Sequence, residues 1–426
     1  MSSSRVSPAG AAGAGPGWPV RTLTEAEFDD YLLVCRTAMH RPAPPSTTDT
    51  ARVRARTELD RTIGVFDGTR LVGTATAFSF TMTMPGGPRA VAGVSAVTVW
   101  PTHRRRGILS ALMRHQLADI RDRGERVAAL FASEGGIYQR FGYGPASRTV
   151  AVDIATHEAR LRPDIPRDPA LRLRLSTPEE SRKELAAVHS AAARQRVGEF
   201  QRDDAWWDHL LHDSPETRDG FGAFRCALAE DDAGPLGYVL YRTRQRWDDY
   251  GVADSPLRIS EMYATAPAAS ALLWEHVLGE DLVSSVTTHM TPPDDPVYHL
   301  LADRYRARTR LSDNLWLRLV DVPGALEDRS YVAPVETVIE VADRHCPWNA
   351  GRWRLSADHT AARCAPTDAA PDIRLDVAHL GSAYLGDQTL GSYLAAGAIA
   401  EDTPGAVERL DAALSRPTRA HCGVIF

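Results

Sequence analysis

Residues 97–113 read VTVWPTHRRRGILSALM: a β-branched run, a proline, three arginines, a glycine and the first turns of an amphipathic helix. The arginines alone carry little information, because Lys183 is the one lysine among 49 basic residues. Their position carries more. The strand runs straight into a helix whose Ile108, Leu109, Leu112, Met113, Leu117 and Ile120 recur at helical spacing and predict a buried stripe. A helix N-terminus offers unpaired N–H groups and a partial positive charge, which suit a phosphate. Gly107 lets a pyrophosphate approach the backbone, and Arg104, Arg105 and Arg106 add charge beside it. An extended ligand lying along the edge of strand 94–100 would match coenzyme A, with its pyrophosphate on the helix and its pantetheine arm on the strand edge. Neither a GxGxxG loop nor a Walker A loop competes for that role.

Working outward, VRTLTEAEFDDYLLVCRTAM predicts a short strand and a helix capped by Thr24, with Phe28, Tyr31, Leu32 and Cys35 on one face. Strands TIGVFDG and RLVGTATAFSFTMTM follow, separated by Asp67–Gly68, and the 85–88 Pro/Gly cluster turns the chain into the quoted strand. After Gly124, VAALFAS supplies another strand. The order β-α-β-β-β-α-β predicts a mixed sheet with helices on both faces. Residues 260–278, SEMYATAPAASALLWEHVL, repeat the layout of 95–113 without the arginines or the glycine. FRCALAEDDAGPLGYVLYR before them and LVSSVTTHM after them extend the parallel. A second copy of the fold is therefore expected at 156–310. From 311 the texture changes: LWLRLVDVPGAL leads into the strand candidates TVIEVAD, GRWRLSAD and TAARCAP, and helical stretches follow near 375–386 and 389–400. A last helix is expected to start with Thr403 as N-cap and Pro404 at its first position. The chain ends on HCGVIF, an apolar end that predicts a tucked-in terminus.

The 426 residues exceed a single core and predict about two to four domains. A charge of −6 disfavours a nucleic-acid binder, no apolar run is long enough to span a membrane, and the opening Ser/Ala/Gly/Pro stretch lacks a secretion-signal core. Residues 1–18 are expected to be a disordered tail. The five cysteines, Cys35, Cys226, Cys346, Cys364 and Cys422, form no CxxC pair, so reduced, buried thiols in a cytoplasmic protein without a structural metal are expected.

RRRGIL resembles the RxxGxG/A acyl-CoA signature of the GNAT acetyltransferases, departing from it at Leu109. VWPTHRRRGIL, SEGGIYQRFGYG, RCAPTDAAPDI, LGSAYLG and a terminal Phe resemble the Eis family of actinobacterial acetyltransferases over essentially the whole chain after the tail. The resemblance implies an α/β (α+β) architecture: a catalytic GNAT domain at 19–155, a degenerate GNAT-like domain at 156–310, and a sterol-carrier-protein-like domain at 311–426. It implies an N-acetyltransferase that uses acetyl-CoA, acts on aminoglycosides or lysine side chains and assembles as a homohexamer. Tyr138 would be the general acid, and the Phe426 carboxylate the base or a substrate anchor; a core aromatic and a merely packed terminus are the plainer readings. The acetyl-CoA residues would be Val97, Thr98, Val99, Arg104, Arg105, Gly107, Ile108, Leu109 and Ser133, with Ser95 lining the acceptor pocket. Glu25, Glu27, Asp29 and Asp30 could supply an acidic pocket or simply a solvated face, and Ile425 stands where relatives can carry an acid. A non-catalytic acyl-CoA-binding or regulatory protein is the alternative. A lipid role for the third domain does not follow from its fold.

Overall fold

In the computed structural model, which describes residues 17–41 and 46–426, three mixed sheets are covered by helices. The expected tail therefore falls almost wholly outside the described residues. Trp18 is packed: its indole N–H donates to the Arg106 carbonyl at 2.8 Å, and the Arg106 guanidinium lies over its ring.

The first sheet runs, in spatial order, Val20–Thr22, Ile63–Asp67, Arg70–Met84, Gly87–Val99, Val127–Phe131, Leu315–Leu319 and Gly144–Pro145. The second runs Arg172–Ser176, Arg225–Asp231, Gly234–Thr243, Ser255–Ala264, Val283–Thr291, Arg148–Ala155 and Arg308–Asp313. The two orders are the same, and each sheet has its parallel pair in the same place, 87–99 with 127–131 and 255–264 with 283–291. The copies also exchange a strand. Arg148–Ala155 leaves the first unit and pairs with 283–291, whereas Leu315–Leu319 leaves the second and pairs with 127–131. The expected bounds cut across this exchange: 19–155 includes a strand of the second sheet, and 311–426 includes the strand Leu315–Leu319 of the first. The third sheet orders Ala362–Pro366, Gly351–Ala357, Val335–Ala342, Ile373–Asp376 and Ala400–Glu401.

The predicted elements appear with two changes near the C-terminus. Stretch 389–400 is a helix only over Leu390–Ala395, and residues 400–401 join the third sheet. The last helix is Ala406–Leu414, entered through Gly405 at φ 78°, so Thr403 and Pro404 do not cap it. The Thr403 hydroxyl is engaged by Asp372, which also accepts the Val338 amide. At the other end the forecast cap is present, with Thr24 and Glu27 forming a capping box ahead of helix Phe28–Ala38. All five cysteines are buried thiols. Among the described residues no helix is long and apolar enough to cross a membrane.

All five residues of Leu315–Leu319 are buried, including Arg318. A guanidinium there needs a partner, because an unpaired buried charge is costly. Its Nη2 donates to both Asp343 carboxylate oxygens at 2.7 and 2.6 Å, and Asn349 and the amides of His345 and Cys346 complete the carboxylate's bonds. The pair ties the exchanged strand to the third unit. Arg318→Met should strand Asp343 and cost about 3–5 kcal/mol, read as a lowered urea midpoint; an unchanged midpoint would contradict this role.

Candidate active site

Strand Gly87–Val99 pairs with Val127–Phe131 only at Ala92–Ala128 and Gly93–Ala129, after which the two separate. The cause is local. Ala96 takes φ 48°, and the register against strand Arg70–Met84 slips from Thr74–Thr98 to Thr76–Ser95, so the strand bulges. The Thr74 hydroxyl fixes the bulge by donating to the Ala96 carbonyl at 3.0 Å and lies 2.7 Å from the Thr98 hydroxyl. The Trp100 amide donates to Val72, back across the sheet. Amides alternate along a strand, so those of Val97 and Val99 face the gap. Ser95 sits at the bulge, half-buried.

The helix Ile108–Asp122 begins at the mouth of this gap. Gly107 caps it at φ 84° with no side-chain acceptor, leaving the first amides open. Glycine is needed there for the left-handed backbone, since a Cβ would meet nothing within 4 Å. A second glycine brings the helix down onto the sheet: a Cβ on Gly73 would lie 2.6 Å from Ile108 Cγ2. Ile108 is buried, and Leu109 is half-buried against the cluster that holds Met113 and Tyr138. Arg104, Arg105 and Arg106 are exposed. Arg106 is occupied with Trp18, whereas among the described residues no bond or ion pair is seen for the Arg104 and Arg105 side chains. The open amides and these two guanidinium groups suit a pyrophosphate, and the gap suits a pantetheine arm.

Where strand Val127–Phe131 ends, Ser133 is exposed and the single-turn helix Gly135–Tyr138 follows. Tyr138 is buried, and that burial raises its phenol above the usual value, against a hydrogen bond from Ser133. Tyr143 is wholly enclosed, with its ring edge-on to Tyr138 at 6.2 Å.

Phe426 arrives at the same strand end. Its ring lies 5.2 Å from that of Phe131 and 4.8 Å from that of Phe80, and Phe200 and Trp206 of the second unit extend the aromatic wall. The preceding backbone is fastened residue by residue. The His421 amide donates to the Val197 carbonyl, the Cys422 amide and carbonyl pair with the Asn314 side chain, and the Gly423 amide donates to Glu199 at 3.0 Å. Glu199 also accepts from the Tyr263 hydroxyl at 2.9 Å. Ile425 is exposed. The four acids of the first helix region supply no pocket wall: Glu25 is paired with Arg54, Glu27 with Arg21, and Asp29 and Asp30 face solvent.

The second copy keeps the bulge, between Leu240 and Tyr241 opposite 259–261, and its parallel strands separate as well. Its helix Pro267–Leu278 starts with a proline, which has no N–H to offer an anion. Sequence reading missed Phe78, Phe80, Phe131, Phe200 and Trp206 as parts of the site. The alternation of Phe78 and Phe80 on one strand and the Trp206–Trp207 pair were the available signals.

Residues 19–146 and 198–319 each match the acetyltransferase (GNAT) domain family, and 322–423 match the sterol carrier protein domain. The chain is 43% identical to an uncharacterized N-acetyltransferase of Streptomyces avermitilis over 84% of its length and 88% of that protein's. It is 38% identical to the N-acetyltransferase Eis of Mycobacterium tuberculosis, covering 83% of this chain and 85% of Eis. The crystal structure of Eis1 from Mycobacterium abscessus superposes with a TM-score of 0.82 at 34% identity, covering 96% of this chain and all of that one.

The anchor of the C-terminal segment should be sensitive to acid. Burial and the nearby Arg202 hold His189, whose Nε2 lies 3.9 Å from a Glu199 carboxylate oxygen, down at about 3, so it stays neutral in the fold. Burial opposes ionisation of Glu199, but His421 beside it and the surrounding positive charge outweigh this and hold it at about 2. Unfolded, His189 takes its proton near 6.5 and Glu199 near about 4.3. The stability due to His189 is therefore complete above 6.5 and lost as pH falls toward 3; that of Glu199 is lost from about 4.3 toward 2. His189→Gln should reduce the slope of stability with pH between 6.5 and 4.5 by about 1.4 kcal/mol per pH unit. Urea titrations with identical slopes for both proteins would contradict it.

Proposed function

We propose that this chain, which belongs to the Eis-like family of GNAT N-acetyltransferases, uses the gap of its first domain to pass the acetyl group of acetyl-CoA to an amine. The observation that carries this assignment of the site is the separation of strands 87–99 and 127–131 beside an uncapped helix N-terminus. In this reading Arg104, Arg105, Gly107, Ile108 and Leu109 hold the pyrophosphate, and Val97, Thr98 and Val99 align the pantetheine arm and thioester, with Ser133 beside them.

The amine nitrogen attacks the thioester carbon. An N–H on strand 97–99 steadies the charge that develops on the carbonyl oxygen, an effect typically worth about 3 kcal/mol. The C–S bond breaks, and Tyr138 gives its phenolic proton to the departing sulfur. Burial suits Tyr138 to that role by keeping it protonated at neutral pH. The attacking amine's proton leaves toward the Phe426 carboxylate, which also attracts the substrate ammonium. A carboxylate is a weak base, so holding the cation is the larger part of its task. Homohexameric assembly, implied by the family, belongs to the same proposal.

Thiol release from acetyl-CoA by untagged protein, measured across aminoglycosides, polyamines and lysine peptides, tests the reaction. Turnover with an amine supports it; binding of acetyl-CoA without turnover of any amine would favour the acyl-CoA-binding alternative. Tyr138→Phe should lower kcat by about 10²- to 10³-fold while the Kd for acetyl-CoA stays put. An unchanged kcat would remove Tyr138 from the mechanism.

A further inference from the structure

The second unit has a cleft of its own. Its parallel strands Ser255–Ala264 and Val283–Thr291 stay paired as far as Ile259 and Thr288 and then part. A cavity of about 350 Å³ lies there, between residues 261–266, the start of helix Pro267–Leu278 and residues 290–296. That volume is near the lower end of the roughly 300–1,000 Å³ usual for small-molecule sites. The Thr265 amide donates to the Leu236 carbonyl, so by strand alternation the backbone groups of Met262 and Ala264 face the parted side. The C-terminal segment supplies part of the wall through His421 and Gly423.

The lining is acidic. Among the described residues three carboxylates, Glu199, Glu261 and Asp295, line the cavity with a single guanidinium, Arg196. Arg196 is bonded to Asp294 at 2.8 Å, and Arg202, outside the lining, to Glu261 at 3.0 Å. Glu199 and Asp295 are left without a guanidinium of their own. Glu199 is 1% exposed; its Oε1 accepts from the Tyr263 hydroxyl and the Gly423 amide, whereas its Oε2 has no donor. The His189 ring 3.9 Å from that oxygen is neutral. Asp295 accepts the Val297 amide at 2.9 Å, and burial pushes its carboxyl up to about 6, so it is mostly ionised at neutral pH. A buried carboxylate oxygen without a donor is costly. An ammonium group brings three N–H donors and the opposite charge. The acidic lining and Pro267 at the helix start both oppose a phosphate. Among the described residues no three metal-ligating side chains converge, so the carboxylates suit an organic cation.

We infer that this second cleft binds a small amine in its ammonium form, with Glu199 and Asp295 as its counter-charges and the free edge of strand Ser255–Ala264 beside it. The site shares no residue with the gap assigned to acetyl-CoA, and the inference does not depend on the acetyl-transfer reading.

The test follows the isotope-labelled methyl groups of the methionines by NMR in the full chain. Met262 and Met290 line the cleft, whereas Met82, Met84 and Met113 are buried in the first unit; Met262→Leu and Met290→Leu assign the two reporters. Added 1,4-diaminobutane should shift both reporters saturably, and the uncharged 1,4-butanediol should not. Asp295→Asn should weaken the binding by about 10- to 100-fold, the usual effect of losing a charge-assisted bond. Ser270→Leu, which fills the cavity from the helix side, should abolish it. Unchanged signals from the first-unit methionines show that each variant is folded. Reporters that ignore the diamine, respond equally to the diol, or respond in both variants as in the parent protein would overturn the inference. So would diamine shifts confined to Met82, Met84 and Met113, which would place the amine in the first unit.

Discussion

The exchange of strands between the two related sheets is the constraint on which the rest of the molecule depends. Leu315–Leu319 fills the place beside Val127–Phe131 that a simple linear fold would give to its own next strand, and Arg148–Ala155 does the same for the second sheet. Neither unit can complete its sheet without chain from the other. The two are therefore held in one orientation by strand pairing rather than by a surface contact that could slide. The exchange also delivers the third unit to its position, because the helix Val322–Asp328 begins just past the exchanged strand. Arg318, carried into the core by that strand, finds its counter-ion in the third unit at Asp343.

All three parts of the chain therefore meet at the proposed site. The first unit supplies the gap, the helix entrance and Tyr138. In the second, Pro267 at the first position of the corresponding helix has no N–H to offer; this unit contributes wall and anchor. Residues 198–201 pair with strand Arg70–Met84 through Thr81 and Thr83, bringing Phe200 and Glu199 into place, and Trp206 closes over Phe78 and Phe80. The third unit sends its last residues back between Val197, Glu199 and Asn314 to present Phe426. The second GNAT-like unit thus packs its aromatic residues against the gap of the first.

Much of this was legible in the sequence because it is local. The strand, arginines, Gly107 and helix stripe of 97–113 are consecutive, and the repeat at 260–278 shares their order. The exchanged strand was not. Leu315–Leu319 pairs with a strand nearly 190 residues away, and no local pattern names that partner. The Thr403 cap failed because Asp372, distant in sequence, takes the hydroxyl. Helix Thr47–Arg56 buries no residue and shows no apolar stripe.

The most direct test of the central claim uses the carboxyl end. Acetyl transfer is measured on the chain extended beyond Phe426 by a short removable peptide, and again after a protease has trimmed it back to Phe426. The account requires the extended protein to bind acetyl-CoA normally and to be nearly inactive, with activity restored by trimming. Equal activity before and after trimming would contradict it, because the terminal carboxylate would then have no part in the reaction.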